Sequence, residues 1–147
     1  PCCVGYEFSG IITHVGKSVD KHWQGKSVFG LTRFNGYADT VCVPLDQVFE
    51  KPESLSFEQA AAIPVNYSTA WQLLIAMGSL TTEDSVLIHN VGGGVGLAAL
   101  EIAKHIGATT YGTASPGKHP FLREKGLPVP SWLDKEPLEI PSVLEDV

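Results

Sequence analysis

Apolar and polar positions alternate along the chain up to Pro52 and then change rhythm. Three short runs, "SGIITHV" from Ser9, "SVFGL" from Ser27 and "YADTVCVPL" from Tyr37, are rich in Ile, Val, Phe, Thr and Tyr and are separated by Gly, Asn, Asp and Lys. Such a period-2 texture predicts antiparallel strands. From Ser56 the pattern turns helical. "SFEQ" has the form of a capping box, Ala60 to Ala62 favour helix, and Pro64 should interrupt it. "YSTAWQLLIAMG" then predicts a second helix, closed by Gly78. After the polar turn "TTED" come a strand "SVLIH", a glycine-rich loop, a helix ending at Gly107 and a strand "TTYGT". Strand, helix and strand in that order form a βαβ unit, which requires a parallel sheet.

The loop "HNVGGGVG" sits between strand and helix, with Gly92, Gly93, Gly94 and Gly96 close together. A strand that turns directly into a helix aims free backbone N–H groups and the positive end of the helix dipole at one point, where an anion fits. Glycine there admits the close approach of a pyrophosphate and permits a tight turn. The spacing is not a strict GxGxxG, and a glycine-rich turn that merely lets a helix pack on a strand is the plainer reading. Context favours a dinucleotide, because the βαβ order is complete within about thirty residues.

The end of the second strand bears on which dinucleotide. Sites for NAD usually place a carboxylate there for the ribose 2′-hydroxyl, whereas NADP needs a cation and no such charge. Here the strand enters "GTASPGKH", without Asp or Glu. Ser115 is placed to cap a helix with Pro116 at its first position, and Lys118 follows within a turn. A 2′-phosphate would take Ser115 and Lys118 as ligands. The plainer alternative is a capped surface helix with a solvated lysine.

Composition narrows the partners. The chain has 147 residues, 44% of them hydrophobic, and a net charge of -6, with Lys and Arg scattered rather than clustered. Nucleic acid is therefore not an expected partner. Apolar runs such as "LLIAM" are far shorter than a membrane span and no signal peptide is evident, so no membrane association and a cytoplasmic location are expected. Cys2, Cys3 and Cys42 form neither a disulfide framework nor a zinc motif and are expected to be reduced core or edge thiols. The chain opens on Pro1 inside an apolar stretch, which suggests a piece of a longer protein.

Several linked segments, "VGYEFSGIITHVG", "GYADTVCVP", "LSFEQAAAIPVNYSTAWQLL", "SVLIHNVGGGVGLAALEIAKHIGA" and "GTASPGKH", resemble in order the zinc-independent quinone oxidoreductase and enoyl reductase branch of the medium-chain dehydrogenase/reductase superfamily. The resemblance covers the chain to about Gly126. It implies an α/β fold: part of a GroES-like, β-rich catalytic domain over residues 1–65, then the first half of a Rossmann domain, a doubly wound parallel sheet, over residues 66–147. It implies NADPH as cofactor, with the segment around Asn66, Tyr67 and Thr69 at the nicotinamide end. Gly92, Gly93, Gly94, Val95 and Gly96 would bind the pyrophosphate, and Ser115 and Lys118 the 2′-phosphate. The implied reaction is hydride transfer to a small-molecule quinone or an α,β-unsaturated carbonyl such as an enoyl thioester, in a protein that is a homodimer at full length. A non-catalytic nucleotide-binding or structural protein of the same fold, or an inactive fragment, is the alternative.

No metal site is expected. Alcohol-dehydrogenase members resembling this chain carry a histidine ligand where it has Tyr6, and a phenol replaces imidazole poorly at neutral pH. His14, His22, His89, His105 and His119 show no ligand spacing and are expected to be surface or core residues. Glu7 is expected to be structural. No catalytic residue is assigned, since the segment that would supply a proton-donating tyrosine lies before the part matching Pro1. The stretch from Leu127 to Val147 resembles a degenerate third Rossmann strand and helix, with Lys135 where the family often has a tyrosine.

Overall fold

The computed structural model of the chain describes residues 3–127. The expected third Rossmann strand and helix beyond Leu127, together with Lys135 and Cys2, lie outside the described residues.

Two small sheets organise the molecule. The first is antiparallel, in the order β1 (Glu7–Ile11), β2 (Ser27–Leu31) and β3 (Val48–Glu50). Glu7 pairs with Leu31 and Ile11 with Ser27, while Val28 faces Glu50 and Phe29 faces Phe49. The run Tyr37 to Leu45, expected as a strand, is not one. Val41 and Val43 are half-buried and Thr40 and Cys42 exposed, so the alternation is right about which side chains face inward. The place beside β2 opposite β1 is taken by Val48–Glu50 instead, and the run from Tyr37 joins no ladder. Cys3 and Cys42 are exposed thiols rather than core ones.

Two helices follow. Ser56 and Gln59 form the reciprocal capping box expected of "SFEQ", with Gln59 N–H donating to Ser56 Oγ at 3.2 Å and Ser56 N–H to Gln59 Oε1 at 2.9 Å. Helix α1 (Phe57–Ala61) stops before Pro64, which becomes the first residue of α2 (Pro64–Trp71). The same helix continues as a π-helical segment, Gln72–Met77. Its end differs from expectation. Gly78 keeps a right-handed φ of -87°, and Ser79 takes the left-handed position at φ 49°. Glycine is still required at 78, because a Cβ there would lie 2.8 Å from the Leu73 carbonyl oxygen.

The second sheet is the predicted βαβ unit. Strands β4 (Ser85–Ile88) and β5 (Thr109–Gly112) are parallel, joined by α3 (Gly94–Ile106), which ends at Gly107 in the left-handed conformation. Ile88, Val91, Ala98, Ala99, Leu100, Leu122 and Leu127 bury together with Ala70 of α2. The small side chains on α3 bring it close to the sheet, and α4 (His119–Glu124) closes the core with Leu122, 1% exposed. None of the helices among the described residues is long and apolar enough to cross a membrane.

Candidate dinucleotide site

The site is built where β4 ends. Thr113 N–H donates to Ile88 O at 3.0 Å and Val91 N–H to Thr113 O at 2.9 Å, so pairing continues past the strands and holds the glycine loop against the end of β5. Asn90 adopts a left-handed φ of 53°, and its carbonyl accepts the Gly93 N–H at 2.9 Å. Helix α3 starts one residue later. Its first three residues, Gly94, Val95 and Gly96, have N–H groups with no acceptor inside the helix, and no side chain caps them. Those amides and the helix dipole favour an anion at this point.

The glycines divide by role. A Cβ on Gly96 would lie 2.4 Å from Asn90 O and 2.7 Å from Val91 Cα, so glycine here lets the helix sit directly on the loop. At Gly94, which is exposed, a Cβ would meet Asn66 Oδ1 at 2.6 Å; at Gly92 it would meet the Lys118 side chain at 2.5 Å. The fold thus brings Asn66 from one side and Lys118 from the other to the same turn. Lys118 Nζ donates to Gly92 O at 2.8 Å, and Asn66 Nδ2 donates to Ala62 O at 2.8 Å.

A cavity of about 500 Å³ opens beside the loop, lined by Asn66, His89 and Asn90, by the glycine turn, and by Leu73, Leu74 and Leu87. Thr69 is exposed and does not line it. Nor does Tyr67, whose hydroxyl instead donates to Glu101 Oε2 on α3. Burial, then the Glu101 carboxylate beside it, push the Tyr67 hydroxyl up to about 12. Ser115 heads the short 3-10 turn Pro116–Lys118, yet its hydroxyl makes no capping bond. Pro116 has no N–H to offer, and the Lys118 N–H goes to the Ser115 backbone carbonyl at 2.9 Å.

Two features escaped the sequence reading. His89 lines the cavity, with Nδ1 at 3.1 Å from Thr113 Oγ1; its place directly after the strand was the available signal. The pairing of Tyr67 with Glu101, 34 residues apart, carried no signal, although the resemblance places Tyr67 itself with Asn66 and Thr69 at the nicotinamide end. Tyr6 is exposed and meets the Phe34 ring in a tilted contact at 5.8 Å, and Glu7 Oε2 accepts the Val65 N–H at 2.9 Å. Among the described residues no three or more His, Cys, Asp or Glu side chains cluster as metal ligands would.

No protein-family model matches the chain. It is 40% identical over 131 residues to the synaptic vesicle membrane protein VAT-1 homolog of Rattus norvegicus, a match that takes in 88% of this chain and 32% of that protein. Among solved structures, CurK enoyl reductase matches with a TM-score of 0.83 and 35% identity, over 87% of this chain and 39% of that one. The quinone oxidoreductase from Coxiella burnetii matches at 0.80 and 35%, over 92% and 46%. The chain belongs to the medium-chain dehydrogenase/reductase superfamily. Within it, the chain falls in the quinone oxidoreductase and enoyl reductase branch. In the terms of that superfamily, the antiparallel sheet is GroES-like and the βαβ unit is Rossmann-like. The chain spans about a third of the length of the curated relatives it matches.

Proposed function

We propose that the protein is an NADPH-dependent oxidoreductase that transfers a hydride to a quinone or to an α,β-unsaturated carbonyl such as an enoyl thioester, without zinc. The observation that carries this reading is the meeting of Asn66, the glycine turn and Lys118 at the uncapped start of α3. A pyrophosphate fits those donors: three amides without partners, glycines where side chains would block access, and no carboxylate among the cavity walls. Gly92, Gly93, Gly94, Val95 and Gly96 would hold it, Asn66 and Thr69 would border the nicotinamide end, and Ser115 and Lys118 would take the 2′-phosphate. The 3-10 turn before α4 lends little dipole, so discrimination for the phosphate rests on those two side chains. NADPH would supply the hydride. The names of the enoyl reductase and quinone oxidoreductase neighbours support the acceptor class.

Zinc independence rests on the donor set. Tyr6 is a phenol, and one carboxylate oxygen of Glu7 is committed to the Val65 amide. A conjugated acceptor is electrophilic without a Lewis acid. The domain division we favour is residues 1–65 and 66–147.

The deciding measurement is the affinity of Lys118→Ala for NADPH and for NADH at moderate salt. Charge-assisted bonds to a phosphate contribute about 1.5 to 3 kcal/mol, so NADPH affinity should fall about ten-fold or more while NADH affinity barely changes. Equal losses for both cofactors, or none, would remove Lys118 from the site. Oxidation of bound NADPH by a quinone or an enoyl thioester separates an enzyme from a binding protein of the same fold.

A further inference from the structure

Helix α2 is held to α3 by the burial of Ala70, but its ends do little to fix its rotation. It is eight residues long, has no side-chain cap at its start, and runs into a π-helical segment at its end. Yet Asn66 on this helix lies against the backbone of Gly94, close enough that a single added carbon would collide with its Oδ1. Helical side-chain tips lie about 5 to 6 Å from the axis, so a roll of about 20° moves them by about 2 Å. That is enough to break a contact of this kind. Two bonds from outside the helix oppose such a roll. Glu7 Oε2, from β1, accepts the Val65 N–H at 2.9 Å and pins the first turn. The Tyr67 hydroxyl, one residue after Asn66, donates to the Glu101 carboxylate of α3.

We infer that Tyr67 and Glu101 are positioning residues for the dinucleotide site: their bond locks α2 to α3 in the rotation that sets Asn66 against the glycine turn. The inference rests on the cofactor reading above. Neighbouring residues on a helix point about 100° apart, so one can face the turn while the other faces α3. Glu101 and Gly94, the residue Asn66 lies against, belong to the same helix, which makes the distance from anchor to site a fixed one. A phenol keeps its proton throughout the neutral range, so Tyr67 can donate to the Glu101 carboxylate there. A carboxylate acceptor makes the bond charge-assisted, and such bonds are the stronger kind. Tyr67 also packs its ring against the buried cluster that includes Ala98 and Leu100, so removal of the hydroxyl alone isolates the positioning effect from packing.

The test is a double-mutant cycle on NADPH affinity, measured with thermal stability for each variant. Asn66→Ala should weaken NADPH about ten-fold, equal to about 1.4 kcal/mol, and Tyr67→Phe about five-fold. The double variant should be no weaker than Asn66→Ala alone, because Tyr67 acts through Asn66. Glu101→Gln, which keeps an acceptor oxygen, should retain more affinity than Glu101→Ala. The inference is overturned if Tyr67→Phe lowers the melting temperature but leaves NADPH affinity intact, or if the two single losses multiply. Binding that ignores Asn66→Ala overturns it too, while leaving the cofactor reading in place. Absence of NADPH binding by the unsubstituted protein would remove both.

Discussion

The two sheets are similar in strand length and differ in what covers them. In the parallel unit, α3 lies across β4 and β5 and buries Ile88, Val91 and Leu100 to 8%, 0% and 1% exposure. In the antiparallel sheet only Val28 and Gly30 are buried to that degree, while Ile11 and Phe49 are more than half exposed. A sheet face gains hydrophobic stabilisation only when another layer lies on it. The parallel unit therefore holds most of the core and carries the candidate site, whose loop is anchored to that core through Val91. The antiparallel sheet is held largely by its ladder, by turns and by its contacts with α1 and α2.

A matched pair of substitutions would break this contrast if it is wrong. Leu100→Ala removes a side chain that is 1% exposed and should cost about 3 kcal/mol, within the usual 2 to 5 for buried leucine. Phe49→Ala loses a half-exposed ring and its contact with Phe29 at 5.8 Å, and should cost about 1 kcal/mol. Urea unfolding of both variants decides; equal losses would mean that the antiparallel sheet has a core of comparable weight.

The link between the sheets can be sharpened next. Glu7 is the side chain through which β1 reaches the first turn of α2. Glu7→Ala leaves the half-buried Val65 N–H without that partner and should cost about 1 to 2 kcal/mol. Glu7→Gln, which still offers an oxygen, should recover much of it in the same unfolding measurement. An unchanged midpoint for Glu7→Ala would show that the two units are joined by apolar packing alone.

The same contrast governs what could be read in advance. The βαβ order, the capping box at Ser56 and the closure at Gly107 are local patterns in which neighbouring residues set the backbone. They appear in the structure as the sequence predicts. The third antiparallel strand is not local. The run from Tyr37 has the right alternation, but the choice between it and Val48–Glu50 depended on which segment reaches the free edge of β2. At the site, the glycine turn was legible because glycine is the residue that close approach demands. The approach of Lys118 to Gly92, 26 residues apart, follows from the return path of the chain through β5. Ser115 was misjudged as a cap because the 3-10 turn hands the Lys118 amide to a backbone carbonyl instead.

The smallest expected effect concerns the Tyr67–Glu101 bond and tests whether α2 belongs energetically with α3. The hydroxyl is pushed up to about 12 from the ordinary 10, first by burial and then by the Glu101 carboxylate. A raised value in the folded state means that its contribution is fully present below about pH 10, where the unfolded chain also keeps the proton, and is lost as pH rises through about 12. Tyr67 is only half-buried, so solvent screening should keep the contribution below about 1 kcal/mol. Other groups titrate in the same window, and the informative quantity is therefore a difference. The stability advantage of the unsubstituted protein over Tyr67→Phe should be constant near neutrality and shrink between pH 10 and 12. An advantage that keeps its size through pH 12 would mean that the phenol titrates alike in both states. The bond to α3 would then add nothing to the tie between α2 and the parallel unit, which would rest on the burial of Ala70 against α3.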